Sequence, residues 1–330
     1  MTQDASQSIA VIGMAGRFPG APDINGFWRL LTDQLDAIGP VPLDRWDASA
    51  QLDPEKHVPA QGGFLSDVDQ FDPNFFGISP REAADIDPQH RLMLELSWQA
   101  LEDAGQRART LADSRTGVYM GAEWHDYEIL RKEHGSGTTQ HSAAGSTLDM
   151  IASRVSYFLK LTGPSMVVES GCSSSLVALH LAAQALRQGD VQAALVGGVS
   201  LMLRPDVTIG LTHFGALSPD ARSKAFAASA NGFVRSEGAA ALWLKRLDTA
   251  LADGDRIHGV ILRTAVNNDG GGDSLVLPKP AGQRDLLRQV YGDGAIPLDK
   301  LAYVEAHGTG TTRGDPIEAE AIGQSGRAHV

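Results

Sequence analysis

The sequence predicts an α/β fold made of two related halves, and three features carry that prediction. Apolar runs with strand character alternate with helix-period segments along the chain. The order strand, reactive loop, helix occurs twice, once around Cys172 and once around His307. At 330 residues and 42% hydrophobic, the chain has apolar surface enough for one large core or two moderate ones.

Residues 8–14 read as an apolar strand that breaks at Gly13, Gly16, Pro19 and Gly20. Those glycines lack the G-x-G-x-x-G spacing, and Pro19 interrupts any helix start there, which argues against a dinucleotide loop. Residues 27–38 have helical apolar spacing, ended by Gly39-Pro40. Residues 41–76 read as loop, punctuated by Pro42, Pro54, Pro59 and Pro73. Ser79-Pro80-Arg81-Glu82 and Asp87-Pro88 are helix starts, each a cap residue followed by proline at the first helical position. The second opens an amphipathic helix with Leu92, Leu94, Leu96, Trp98 and Leu101 as its buried stripe and Gly105 as its stop. Residues 115–123 read as a strand, 126–142 as a polar, mobile connection and 148–159 as a helix.

Gly163-Pro164 then turns the chain into a buried strand through Met166 and Val168, and Gly171 permits a sharp turn. An apolar helix follows Cys172 and stops at Gly189, with Ser173 to Ser175 offering hydroxyls to the orphan amides of its first turn. Residues 193–203 return as a strand, giving a βαβ unit with parallel pairing and a right-handed crossover. Because this helix is apolar almost all round, it is expected between layers rather than at the surface. Residues 204–238 read as a loop-rich stretch, with Phe226 and Phe233 among small residues, and suit the rim of a site. Strands at 239–247 and 257–264 flank a short helix ending at Gly254. After a turn cluster at 266–272, a helix at 282–291 and a strand at 301–306 deliver His307 into Gly308-Thr-Gly-Thr-Thr312. Asp315-Pro316-Ile317-Glu318 carries the cap, proline, glutamate pattern of a helix start, and the strand expected after that helix is absent.

Lys and Arg number 28 against 40 Asp and Glu, a formal net charge of -12, which argues against nucleic acid or an anionic membrane as the main ligand. A single cysteine forms no internal disulfide, so a cytoplasmic setting is expected. The start of the chain, residues 1–8, lacks the basic and apolar regions of a signal peptide, and no apolar run approaches the roughly 20 residues of a membrane span.

Cys172 sits where a strand runs into a helix, at the positive end of a macrodipole that favours the thiolate nucleophile. The competing reading is a small buried cysteine. His307 on its glycine-rich loop supplies a partner imidazole. Of the other histidines, His180 reads as a satisfied core residue, and His57, His125, His134, His141 and His329 as solvated side chains. His90, His213 and His258 stand outside any motif, and no histidine pair has metal-site spacing. Three readings stay open on the residues alone. One is a cysteine hydrolase with Asp269 or Asp273 as third member, although the flanking glycines of G-x-S-x-G are missing. Another is acyl transfer through a cysteine thioester, and the third is a scaffold in which both junctions merely pack.

Several segments together resemble one family. They are Ile9-Ala-Val-Ile-Gly-Met-Ala-Gly-Arg-Phe-Pro-Gly20, Ile86-Asp-Pro-Gln-His-Arg91, Gly163 through Cys172 to His180, Leu217-Ser-Pro-Asp220, Gly232-Phe-Val-Arg-Ser-Glu-Gly238, Asn267-Asn-Asp-Gly270, Val304-Glu-Ala-His-Gly-Thr-Gly-Thr311 and Gly314-Asp-Pro-Ile-Glu318. In order and spacing they resemble the ketosynthase domain of modular type I polyketide synthases. The resemblance implies a thiolase-like fold, layered αβαβα, usually a homodimer. It implies decarboxylative Claisen condensation of a cysteine-bound acyl chain with a malonyl-type extender. No cofactor is bound directly; substrates ride on the 4'-phosphopantetheine arm of an acyl carrier protein, which with other synthase domains is the implied partner. Carried over, Cys172 is the nucleophile, His307 assists decarboxylation, and Thr309 and Thr311 contact the pantetheine arm.

Two departures qualify the match. Glu169-Ser170-Gly171 stand where the family commonly has Asp-Thr-Ala. A complete member also continues further, with a lysine, a second histidine and a glycine-rich oxyanion loop. The resemblance therefore implies one truncated domain over 1–330, with the cysteine half at 1–250 and an incomplete histidine half at 251–330, acylated but inactive in condensation.

Overall fold

A computed structural model describes residues 7–50, 53, 55, 57–271, 276–292, 294 and 296–327. Its contacts fall into two units: Met1–Trp46, Gly63–Arg204 and Ser236–Leu262 form the first, and Asp47–Gly62, Pro205–Arg235 and Arg263–Val330 the second.

The first unit is organised on a mixed sheet. Its strands are β1 (Ile9–Arg17), β2 (Thr116–Gly121), β3 (Ser165–Val168), β4 (Ala193–Ser200), β5 (Gly238–Arg246) and β6 (Gly259–Ile261), in the order β3-β2-β4-β5-β1-β6. β2 runs parallel to both β3 and β4, while β5 runs antiparallel to β4 and to β1. The expected βαβ unit is therefore present, but β2 lies between its two strands. β1 continues through Gly13 and Gly16 instead of breaking there, with a register shift between Val11 and Gly13. That glycine is needed for packing: a Cβ on Gly13 would stand 2.3 Å from the Ala100 carbonyl oxygen.

Strand alternation sorts the residues between two faces. On one, Ala10, Ile12, Val118, Met120, Leu195, Ala241 and Trp243 pack with α3 (Pro88–Asp103) and α5 (Asp149–Leu159), the helices that bring Leu92, Met93, Leu96, Leu101, Ile151 and Val155. On the other, Ile9, Tyr119, Ala194, Val196 and Leu244 pack with Ala178, Ala182, Ala183 and Leu186 of α6 (Ser174–Gln188). The i, i+4 spacing of Ser174, Ala178 and Ala182 gives α6 one buried face. The expectation of burial all round is thus corrected, since Leu176 on the other side is 69% exposed.

Helix starts follow the sequence closely. Ser79 accepts from the Glu82 amide at α2 (Pro80–Ala83), and Asp87 from the Gln89 amide at α3. Ends and connections hold the differences. α1 (Ile24–Thr32) begins and stops earlier than its apolar spacing suggests, capped by Asp23. The polar stretch expected to be a mobile connection contains α4 (Asp126–Glu133), whose acidic first turn and basic last turn complement its dipole. Buried Asp126 accepts from the Leu203 and Arg204 amides, a tertiary anchor with no local signature.

The second unit has α7 (Asp206–Phe214) inside the stretch expected to be loop-rich. α8 (Leu247–Asp253) belongs to the first unit and stops at Gly254 as expected. α9 (Pro280–Tyr291) and α10 (Gly314–Arg327) complete the second. Residues 301–306 carry no strand assignment, with Tyr303 75% exposed and Val304 47% exposed. An apolar run becomes a strand only when a neighbour satisfies its backbone, so period and composition overstate this one. No helix among the described residues is long and apolar enough to cross a membrane.

Buried ionisable groups bear on the stability of the first unit, and one of them holds loops against the sheet. Glu237 accepts from the Leu65 amide at 2.7 Å and the Met202 amide at 2.8 Å, and pairs with Arg45 at 3.4 Å. Replacing Glu237 with Ala leaves two amides without their acceptor and Arg45 with only Asp44 and the Leu65 carbonyl, and should cost ~3–5 kcal/mol in denaturant unfolding. His90 is fully buried, and burial, reinforced by the Arg154 and Arg91 charges, holds its imidazole down at about 3 from the usual 6.5. Because the folded value lies below the unfolded one, His90's contribution is present above pH 6.5 and is lost as pH falls towards 3. Neighbouring Asp87 opposes it: burial raises its carboxyl from 3.8 to about 6, so its contribution is present below 3.8 and lost as pH rises through 6. Melting temperatures of His90→Leu should accordingly fall less steeply than wild type between pH 6.5 and pH 3.

Candidate functional site

The junction before α6 begins with a close approach. A Cβ on Gly121 at the end of β2 would lie 2.6 Å from the Ser175 amide nitrogen, and one on Gly198 in β4 would lie 2.8 Å from the Ser175 Cβ. Only glycine at both positions lets the first turn of α6 sit down on the strand ends. Cys172, free and exposed, is thereby held at the rim of the sheet instead of being a buried thiol.

The turn that carries it is built by serines. Gly171 has φ +65, the left-handed region, and nothing lies within 4 Å of the Cβ it lacks. The Ser174 hydroxyl donates to the Gly171 carbonyl at 2.6 Å and accepts from the Ser170 amide at 2.9 Å. The Ser173 hydroxyl donates to the Ser170 carbonyl at 2.9 Å. The expectation that these hydroxyls cap the first helical turn is corrected: no side-chain cap bond forms at Ser173, and the serines fold back to tie the elbow instead. Hydroxyls satisfied one turn upstream leave the dipole of a 15-residue helix directed at the thiol region.

His307, Thr309 and Thr311 lie together on one loop of the second unit. Glu318, from α10, accepts from the His307 amide at 2.7 Å and the Gly308 amide at 2.9 Å. Asp315, 4% exposed, accepts from the Gly310 amide at 3.0 Å and from the Phe226 amide at 2.5 Å. Gly310 also accepts through its carbonyl from the Gly232 amide at 2.9 Å. The Thr309 and Thr311 hydroxyls are 3.0 Å apart, and that of Thr311 accepts from the Gly314 amide at 3.1 Å. The backbone of this loop is therefore pinned while the imidazole stays exposed.

The spacing of Asp315 and Glu318 predicts a cap and its reciprocal partner, and that expectation is corrected. α10 begins at Gly314, and both carboxylates reach backwards to other loops instead of capping their own helix. Their i, i+3 spacing is the available signal, since it places both on one helix face. Asp269 directs its carboxylate to the Lys279 amide at 2.8 Å, while Asp273 and His329 lie outside the described residues. His213 pairs with Asp53 at 2.7 Å and His258 with Asp103 at 2.7 Å. Among the described residues no cluster of His, Cys, Asp or Glu is arranged to hold a metal.

A family model described as β-ketoacyl synthase, N-terminal domain, matches residues 6–250, and one described as β-ketoacyl synthase, C-terminal domain, matches residues 258–330. The chain is 48% identical over 324 residues to polyketide synthase GfsA of Streptomyces halstedii, covering 97% of this chain and 4% of that protein. It is 43% identical over 320 residues to polyketide synthase PksL of Bacillus subtilis, covering 96% of this chain and 7% of that one. Among solved structures it is similar to the ketosynthase from module 6 of the bacillaene synthase from Bacillus subtilis 168, with a TM-score of 0.91 and 42% identity over 98% of this chain and 55% of that chain. The chain thus spans a small share of these curated relatives and about half of the solved ketosynthase.

The elbow yields a direct test. Alanine at Gly171 meets no neighbouring atom, yet must hold φ +65. Gly171→Ala should lower unfolding free energy by about 1 kcal/mol through backbone strain alone, readable in a urea titration.

Proposed function

The chain belongs to the β-ketoacyl synthase family, as a ketosynthase domain of modular polyketide synthases with a thiolase-like fold; from that premise we propose that the activity class it encodes is chain extension in polyketide assembly. The substrate is an acyl chain held as a thioester on the phosphopantetheine arm of an acyl carrier protein. The Cys172 thiolate attacks the thioester carbonyl, the arm's sulfur leaves as the thiolate and takes up the proton that Cys172 had released, and the acyl chain stays on the Cys172 sulfur. A malonyl-type extender on a second carrier then loses carbon dioxide. Its enolate carbon attacks the Cys172 thioester, forming the carbon–carbon bond and releasing the thiolate.

Each role is carried over from the family resemblance, and the side chains' surroundings support it. Cys172 stands exposed just before the first turn of α6, and its amide is suited to donate to the oxyanion of the tetrahedral intermediate. His307 donates to the oxygen that gathers charge during decarboxylation, its backbone fixed by Glu318 so that little reorganisation accompanies the step. Thr309 and Thr311, whose hydroxyls stand 3.0 Å apart, contact the pantetheine arm in this reading. The observation that supports the reading best is the exposed Cys172 on its serine-tied elbow.

The partners in this reading are the carrier protein, neighbouring synthase domains and a second copy of the chain. β3 supports the last of these, because it ends the sheet and Met166 on it is 38% exposed, leaving an open edge beside the nucleophile. The cysteine half is taken as residues 1–250 and the histidine half as 251–330.

Incubating the purified chain with a short acyl-pantetheine thioester, followed by intact mass measurement, tests the proposal. One acyl group should be gained by wild type and none by Cys172→Ala. A chain that stays unmodified overturns the reading, and steady release of free acid with turnover replaces it with the hydrolase.

A further inference from the structure

Phe226 combines three features. It is one of the few non-glycine residues with positive φ, at +59, a region that bulky L residues avoid. Its amide donates to Asp315 at 2.5 Å, the carboxylate whose other oxygen accepts from the Gly310 amide at 3.0 Å. Its ring borders the residue after His307, since a Cβ on Gly308 would lie 3.5 Å from the Phe226 Cε2. The side chain is nonetheless 48% exposed, so core packing does not dictate its conformation.

A strained backbone persists only where its surroundings over-determine it. Here Asp315 does so: it is 4% exposed and has two backbone donors, one from each loop. Losing the Phe226 donor would leave part of a buried negative charge unsatisfied, while keeping it forces the left-handed turn. Around this carboxylate the two loops are otherwise zipped tightly. The Gly232 amide donates to the Gly310 carbonyl at 2.9 Å, and a Cβ on Gly310 would fall 3.1 Å from the Lys224 amide nitrogen. The turn at Phe226 thus determines where an aromatic ring lies against the His307 loop, at Gly308.

We infer that Phe226, latched by Asp315, is a positioning residue for His307: its ring walls the Gly308 side of the loop and fixes the imidazole for the extender's decarboxylation. The inference rests on the role proposed for His307, but it is tested separately from Cys172 acylation.

The experiment is NMR of the whole chain with isotope-labelled histidine, phenylalanine and glycine, alongside the acylation assay. In wild type, the Phe226 and Gly310 amides should be protected from hydrogen exchange together. In Asp315→Asn, which retains one acceptor oxygen and loses the other, either amide should exchange at least about tenfold faster. Phe226→Ala should displace the His307 imidazole cross-peak, and Phe226→Tyr should restore its wild-type position. Cys172 acylation should stay within about twofold of wild type in all three, because that step does not use His307. An unmoved His307 cross-peak in Phe226→Ala overturns the inference. So does a freely exchanging Phe226 amide in wild type, which needs no variant to fold. Failure of wild-type acylation instead strikes the proposed function and leaves the positioning result readable.

Discussion

The Cys172 region depends on one steric constraint: the first turn of α6 must touch the ends of β2 and β4. Gly121 and Gly198 are the positions where it touches, and any side chain there would meet Ser175. With that contact made, β3 has to turn sharply into α6, Gly171 takes the left-handed conformation, and Cys172 emerges at the rim of the sheet. The serines do not create the elbow. They stabilise it afterwards by satisfying the Ser170 amide and carbonyl and by adding a second donor to the Gly171 carbonyl, which also accepts from the Ser174 amide.

A second physical device recurs in both units. Where loops cannot join a ladder, carboxylates collect their backbone amides. Glu237 takes those of Leu65 and Met202, Asp126 those of Leu203 and Arg204, Asp315 those of Gly310 and Phe226, and Glu318 those of His307 and Gly308. A carboxylate offers about four acceptor sites and binds amides more strongly than a neutral oxygen does. One side chain can therefore hold two segments distant in sequence. The cost is desolvation of the charge, which is why each carboxylate has at least two donors.

Much of this is legible in the sequence where the signal is local. Ser79-Pro80 and Asp87-Pro88 mark helix starts because caps act within one turn, and Gly189 and Gly254 mark stops because left-handed glycines terminate helices wherever they fall. The strand, Cys172, helix junction and the His307 loop are legible for the same reason, each lying within a short run of residues whose pattern is dense. The motifs that resemble ketosynthases span nearly the whole chain, so the family is legible too.

Non-local choices are not. α4 hides in a polar stretch because its anchor, Asp126, bonds to residues 203 and 204. The apolar surface of α6 predicts burial on all sides, but a helix buries only what a neighbour covers, and Leu176 stands in solvent. Residues 301–306 have strand composition without a strand assignment. Asp315 and Glu318 have the spacing of a cap, while their actual donors sit on loops that only folding brings near. The sequence by itself determined the family, the strand–Cys172–helix junction and the starts of α2 and α3, because those signals lie within short runs of residues. The tertiary structure alone decided where the carboxylates point, which faces are covered and why Phe226 is strained, because each depends on a partner far along the chain.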